Sequence, residues 1–239
     1  MKSRTLFVIG AALATALSVA LALAPCASRA SDNCASECMT VNEGGPMIYG
    51  SGKMKTEVRP VEKFASVRVS VPANVLIERT GAESLSVTAE DNLLPILDSE
   101  VEDGALHLSI AKGKSFSGRI PIFRITVADL RELDVEGSGS VKASKLDGSA
   151  LSLSVSGSGD VHLAGRSDDL AVAVDGSGSV DAAELQAKRA KVAVLGSGDV
   201  TVDARDELEA TIMGSGGVDY LGSPKVTSSV LGSGSINRN

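Results

Sequence analysis

The tripeptide Gly-Ser-Gly recurs six times between Gly137 and Gly234, and this repeat constrains the fold more than any other feature of the chain. Its copies begin 18 to 20 residues apart. A fixed period of about twenty residues is typical of solenoids, in which each repeat adds one coil and a core forms only when coils stack. We predict that the glycines of the six copies are structural turns: Gly137, Gly139, Gly157, Gly159, Gly176, Gly178, Gly196, Gly198, Gly214, Gly216, Gly232 and Gly234.

Apolar and polar residues alternate on both sides of each tripeptide. Val or Ile stands two residues before the first glycine of every copy, and again four residues after it. Period two is the pattern of a β-strand with one buried face. We therefore predict an all-β fold, a single-chain β-helix or solenoid with rungs of about 18–20 residues and Gly-Ser-Gly corners. A right-handed coil is favoured.

The glycines predict sharp corners between stacked strands and not a phosphate-binding site. Corners of stacked coils lie about 4.8 Å apart and turn sharply, which suits a residue without a side chain. No copy completes G-x-G-x-x-G, and none is followed by the Gly-Lys of a P-loop or by a helical pattern. A calcium solenoid is the other alternative, but only Asp160 and Asp199 follow a second glycine, too few for calcium. The sequence predicts no cofactor and no metal site.

The first thirty residues have the layout of a secretory signal peptide. Lys2 and Arg4 precede an apolar run, and Ser28-Arg29-Ala30 offers a small-residue cleavage site before Ser31. The alternative is a single membrane anchor. We expect cleavage, no membrane-spanning segment after it, and export to the periplasm or the cell surface. The chain has a formal net charge of −7, and the signal carries bases and no acid, so the exported product would be a poor ligand for nucleic acid.

The three cysteines add little chemistry. Cys26 lies inside the signal, and Pro25 before it fits a lipoprotein cleavage box poorly, so we do not expect lipidation. Cys34 and Cys38 can form a small local disulfide in an oxidising compartment. A zinc site would need further ligands, and the only histidines are His107 and His162.

The chain divides into a signal peptide (1–30), a flexible leader (31–57) and a solenoid (58–239). Within the solenoid, residues 58–132 alternate less regularly than residues 133–239, and a short helical turn fits the segment around Pro95. From about Arg59 onward the chain resembles the bacterial head GIN domain family. The resemblance rests on Asp91-Asn92-Leu93-Leu94, on Leu130 to Val135 and on the Gly-Ser-Gly ladder. It implies an exported β-solenoid with parallel rungs and no catalytic residues to carry over.

We predict a non-catalytic structural, adhesion or protein-interaction module of the bacterial envelope. Its partner would be a protein or an envelope component, or a second copy. One alternative is a periplasmic module that binds an envelope component or a polysaccharide, for which scattered bases would have to form a stripe: Arg119, Arg124, Lys142, Lys145 and Arg166.

A less favoured alternative is an enzyme that acts on polysaccharides with acids stacked on one face: Asp160, Asp181, Asp199, Asp203 and Asp219. Against sugar binding, the chain has no Trp, two Tyr and four Phe. His162 should point outward between Val161 and Leu163, and no G-x-S-x-G motif accompanies it. We predict no catalytic residues.

Overall fold

The structure, a computed structural model, describes residues 47–239. The predicted signal peptide, Cys26 and the predicted pair Cys34–Cys38 lie outside the described residues. Within them the chain is almost entirely strand, and the one helical segment is a 3-10 turn at Leu94–Ile96, beside Pro95 as predicted. The strands are β1 (Met47–Tyr49), β2 (Met54–Arg59), β3 (Ser66–Val69), β4 (Asn74–Arg79), β5 (Ser84–Glu90), β6 (Leu97–Glu102), β7 (Ala105–Ile110), β8 (Ser115–Ser117), β9 (Ile122–Val127), β10 (Glu132–Gly137), β11 (Ser140–Gly157), β12 (Asp160–Gly176), β13 (Ser179–Gly196), β14 (Asp199–Gly214), β15 (Gly217–Leu221), β16 (Lys225–Gly232) and β17 (Ser235–Arg238).

Strands β11 to β14 are long because each forms a whole coil. The first half of β11 pairs in parallel with β4, and its second half pairs in parallel with β10. Register shifts interrupt β11, β12 and β13 near their middles, where Lys145 and Gly165 have φ of 58° and 138°. The chain thus forms a β-solenoid of about five turns, which confirms the predicted fold class.

The coils build two faces. Face A has the order β2-β5-β9-β4, then the first halves of β11 to β14, then β15 and β17. Face B has the order β6-β7-β3-β10, then the second halves of β11 to β14, then β16. Alternate residues of both faces point into one aliphatic core, so the period-two pattern of the sequence is the inside-outside pattern of the coil.

Equivalent residues of successive coils stack in columns along the coil axis, and most residues within a column are of one type. On face B one buried column consists of Val69, Val135, Val155, Val174, Val194 and Ile212. On face A a matching column consists of Val75, Val141, Val161, Val180, Val200 and Val218. Stacking of one residue type on itself lets each coil bury the surface that the previous coil leaves open.

The Gly-Ser-Gly tripeptides lie in a column at the corner between face B and face A. Gly157 has φ of 118°, and a Cβ on it would lie 2.6 Å from the carbonyl oxygen of Gly137. That same carbonyl accepts a hydrogen bond from the N–H of Ser158 at 2.8 Å. The corner therefore holds glycine because neighbouring backbones touch there, and the serine contributes its amide to the ladder between coils.

The front half departs from parallel rungs. Strands β2 and β5, β5 and β9, and β6 and β7 pair antiparallel. The family resemblance implied parallel rungs, and these three pairs depart from that expectation. Antiparallel neighbours need only short connections, such as Asp103-Gly104 between β6 and β7, where both residues have positive φ.

The segment predicted as a flexible leader also needs correction over residues 47–57. Strand β1 pairs with β8, and β2 pairs with β5 along its whole length. The turn between them is held by side chains of the body: the N–H of Gly52 donates to Glu90 at 3.1 Å, and the N–H of Ser51 donates to Asn92 at 2.9 Å. These long-range bonds could not be read from local composition, which is polar and rich in glycine.

Candidate functional site

A shallow groove crosses the outer side of face B. Its volume is about 570 Å³, and its floor is formed by small side chains such as Ala150, Ser152 and Ala171. The floor is small because these outward positions of β11 and β12 carry Ala and Ser. Charged residues from neighbouring strands form the rim: Arg131, Asp169, Arg189, Lys191, Glu207 and Glu209.

The charges of the groove are paired across the strands. Arg189 donates to both carboxylate oxygens of Asp169 at 2.6 Å, and Lys191 donates to Glu209 at 3.1 Å. The hydrogen bond from Arg189 lowers the pKa of Asp169, and Asp169 in turn raises the pKa of Arg189. Beside the groove, Asp168 raises the pKa of Lys188, which lies 2.7 Å from it. The groove is therefore charge-balanced and not a basic stripe.

The bases proposed for a polyanion stripe are divided among several sites, and only Arg124 and Lys142 line one cavity together. Arg124 and Lys142 stand on face A on strands β9 and β11, with Leu76 of β4 between them. Lys145 is paired with Glu78, and Arg166 lines a different cavity at the bend of the coil. Arg119 is exposed in the segment between β8 and β9. Along the described residues the five bases therefore do not form one continuous stripe.

The acids proposed for glycoside cleavage are also separated. Ser179 lies between Asp160 and Asp199 in one column of face A, and Thr201 lies between Asp181 and Asp219 in the next. Asp203 is buried and accepts a hydrogen bond from Arg205 at 2.6 Å. Among residues 47–239 no three acidic, histidine or cysteine side chains are grouped so that they could hold a metal ion.

His162 points outward, as the alternation predicts. Its Nδ1 lies 3.2 Å from Asp181 and its Nε2 lies 3.6 Å from Glu184. Both ring nitrogens therefore face carboxylates, and neither hydrogen-bonds to a serine hydroxyl in the part of the chain that the structure describes. His107 lies on β7 between the buried residues Leu106 and Leu108, away from His162. The geometry is that of a surface histidine placed between two carboxylates and not of a nucleophile with its base.

An apolar ridge stands at the outer corner of the last coils. We define the apolar ridge as Leu195, Met213 and Leu231, which precede three successive Gly-Ser-Gly corners and are directly paired in register. Their exposed fractions are 42%, 48% and 73%. The same column carries the polar residues Glu136, Ser156 and Asp175 in the earlier coils. Large apolar side chains aligned on one surface are typical of interaction sites.

The ridge was not predicted from the sequence, although the sequence contains a signal for it. The residue before the first glycine changes from Glu, Ser and Asp in the first three copies to Leu, Met and Leu in the last three. This position points outward, because the residue before it belongs to the buried Val and Ile column. An apolar residue at an outward position of a strand is a departure from the pattern and marks a candidate contact surface.

The last coil exposes part of the core itself. Every residue of β16 is exposed, although Val226 and Val230 continue the columns of the buried residues Leu208 and Ile212. Val226 and Val230 have exposed fractions of 37% and 43%. No segment of residues 47–239 covers them, so this end of the solenoid presents both apolar side chains and a strand edge.

Stacked parallel coils and a column of glycine corners define the protein as a β-solenoid. A family model described as "Putative auto-transporter adhesin, head GIN domain" matches residues 63–224. The chain belongs to this family, as its sequence motifs indicated.

Solved structures agree with this assignment. A "putative adhesin" from Bacteroides fragilis is 26% identical, with a TM-score of 0.67 over 80% of this chain and 100% of that chain. A "putative lipid binding protein" from Parabacteroides distasonis is 28% identical, with a TM-score of 0.51 over 81% of this chain and 100% of that chain. A "putative adhesin" from the same species is 21% identical with a TM-score of 0.54, covers 81% of this chain and 100% of its own, and supports the fold alone.

No curated protein matches the chain. Among residues 47–239 there is no helix long and apolar enough to cross a membrane.

Proposed function

We propose that the protein is an exported, non-catalytic adhesion-type module that binds a protein of the cell envelope through the apolar ridge. The apolar ridge carries this proposal, because it is a continuous line of large exposed apolar side chains on the Gly-Ser-Gly coils, whose other outward positions from β11 to β14 are mostly small, polar or charged. Family membership supports the adhesion class. The rigid, repeating coils hold the three side chains in register, so binding orders few groups and loses little entropy.

Lipid binding is the second candidate function, because one similar structure is named as a putative lipid binding protein. An acyl chain requires an apolar, enclosed cavity. The groove on face B has Ala and Ser on its floor and three ion pairs around it, which would all have to be desolvated. Protein contact through the ridge therefore suits this chain better than lipid binding.

The ridge can be tested with a photocrosslinking amino acid placed at Met213 in living bacteria. The matched control is the same amino acid at Asp175, which occupies the same column two coils away. We expect adducts with another envelope protein from Met213 and few from Asp175. Equal yields from the two positions would overturn the ridge as the contact surface.

Export is tested separately by fractionating cells that express a tagged chain and by adding protease to intact cells. The proposal requires the chain in the envelope fraction. Degradation in intact cells would assign it to the cell surface, and protection until the outer membrane is opened would assign it to the periplasm. A chain found with cytoplasmic markers would contradict the proposal.

A further inference from the structure

We propose that the C-terminal end of the solenoid is a homodimer interface, in which β16 pairs antiparallel with β16 of a second copy about a two-fold axis. This inference goes beyond the proposed function, since it names a second copy of the chain as the partner of another surface. It uses a different surface from the apolar ridge: the free edge and inward side chains of β16, chiefly Val226, Ser228 and Val230.

The edge of β16 is available for pairing. Within the described residues β16 pairs with β14 on one side only. Its inward residues Val226, Ser228 and Val230 extend the columns of Leu208, Ala210 and Ile212 but are exposed to water. A strand edge with unpaired N–H and C=O groups is a template for a further strand, and a neighbour there would also bury the two valines.

The sequence of β16 is complementary to itself in one antiparallel register. With Ser228 on the two-fold axis, Val226 faces Val230 of the partner subunit, and Ser228 faces the same serine of the partner subunit. All inward residues of both copies then stay on the inward face, because opposite residues of an antiparallel pair share a face. The two aliphatic cores join across the interface. On the outer side, Thr227 faces Ser229 of the partner subunit, and Lys225 faces Leu231 of the partner subunit, so the end of the apolar ridge borders the interface. No charges of like sign are opposed.

Charge distribution favours this end as the meeting surface. The chain carries 30 acidic side chains and a formal net charge of −7, yet residues 222–239 contain Lys225 and Arg238 and no Asp or Glu. Two copies that approach through these ends avoid the repulsion that most other pairs of surfaces would experience.

A head-to-tail arrangement is less suited to the structure. At the other end of the solenoid, the edge strand β6 exposes Glu100 and Glu102, and the carbonyl of Leu97 already accepts a hydrogen bond from Arg59 at 2.5 Å. Charged side chains on an edge strand are a common protection against pairing. A two-fold pairing of the C-terminal ends is complete after two copies and does not grow into a filament.

Cysteine crosslinking tests the register directly. In a chain whose three native cysteines are replaced by serine, Ser228→Cys places two thiols opposite each other on the axis. The matched control Thr227→Cys places its two thiols on a diagonal, more than about 7 Å apart at Cα, beyond the reach of a disulfide. We expect a covalent dimer from Ser228→Cys and not from Thr227→Cys on mild oxidation. Equal crosslinking of both, or of neither, would overturn the inference.

Light scattering of the purified protein over a range of concentrations measures the assembly itself. We expect a dimer that Val230→Lys converts to a monomer, because two lysines would enter the joined core. Met213→Lys adds the same charge on the ridge and should leave the dimer intact. A wild-type monomer at all concentrations, or species larger than a dimer that dissociate in salt, would contradict the two-fold arrangement.

The outcomes separate this inference from the proposed function. If dimers are absent but crosslinks from Met213 to another envelope protein persist, the inference fails and the proposed function stands. If the dimer forms and Met213 crosslinks to nothing beyond its Asp175 control, the ridge proposal fails and the dimer remains.

Discussion

The two ends of the solenoid differ in whether the core residues of the terminal coil are covered. At the N-terminal end the 3-10 turn and the start of β6 contribute Leu94 and Leu97, both buried. Arg59 crosses from β2 and donates to the carbonyl oxygens of Leu94 and Leu97 at 2.8 and 2.5 Å. At the C-terminal end, Val226 and Val230 occupy core columns and remain exposed within the described residues.

The contrast explains the irregular front half. A repeated coil always leaves its last face uncovered, so an end can be closed only by residues that break the repeat. The antiparallel strands and the turn at Pro95 break it, and they are the parts that cover the core. The regular Gly-Ser-Gly coils continue to the other end without such a break, which leaves that end suited to contact with another chain.

The largest expected difference between the ends concerns core packing. Leu97→Ala should destabilise the fold by about 2–5 kcal/mol, because it leaves a cavity under the closed end. Val226→Ala at the open end should change stability by less than about 0.5 kcal/mol in the monomer, since the side chain is already in contact with water. Urea denaturation of the two variants measures both values. Similar losses would show that the C-terminal end is as well packed as the N-terminal end.

Replacing a corner glycine should destabilise the fold less at the first corner, Gly137, than at a corner that packs on the backbone of a preceding one. Gly157→Ala combines φ of 118° with a Cβ that would lie 2.6 Å from the backbone of the previous corner, so we expect a loss of about 3 kcal/mol. Gly137→Ala has φ of 97° and no atom within 4 Å of its new Cβ, so the loss should be about 1–2 kcal/mol. The same denaturation assay compares the pair. A loss at Gly137 as large as that at Gly157 would contradict the role of backbone contact between coils.

The arginine that spans the closed end provides a third comparison. Arg59→Ala should cost about 1–3 kcal/mol, because it removes the side-chain donor to the carbonyl oxygen of Leu97 and one of two donors to that of Leu94, which also accepts from the N–H of Leu97. Arg238→Ala in β17 removes one hydrogen bond to the exposed hydroxyl of Ser223 and should cost less than about 0.5 kcal/mol. Hydrogen exchange should also show faster amide exchange in β6 of Arg59→Ala. Unchanged exchange there would argue against Arg59 as a closing residue.

The smallest effect is expected in the middle of face B, away from both ends. The pKa of Asp169 is lowered in the folded state by its hydrogen bond to Arg189. Its stabilising contribution is therefore present above the unfolded pKa of about 3.9 and is lost as pH falls through the lower folded value. Asp169→Asn should slightly lower the melting temperature at neutral pH, less so in high salt, and not at pH values below both pKa values. A loss that persists at acidic pH would assign the effect to packing. Asp175→Asn, an exposed acid of the same face, serves as the control.

Much of the fold could be predicted from local pattern, and the candidate sites could not. The period of the tripeptide and the alternation around it indicate strands, corners and a stacked core, because each coil repeats the same local choice. The antiparallel pairing of β6 with β7 depends on contacts outside the repeat, and the sequence shows only looser alternation there. The apolar ridge was visible as Leu195, Met213 and Leu231 in the printed chain, but its meaning required knowing that this position points outward.

The sequence by itself determined the all-β solenoid, its period and the residues that face the core, because these follow from steric limits on corners and from alternation along a strand. Tertiary structure alone decided which end is closed, since closure depends on Arg59 meeting carbonyl groups far away in the chain. It also decided that acids at equivalent positions, such as Asp160 and Asp199, are separated by an intervening strand. Residues at equivalent positions of the repeat can contact each other only if they lie on adjacent coils. Which coils are adjacent, and how many strands lie between two residues, is set by the order of strands in the folded protein.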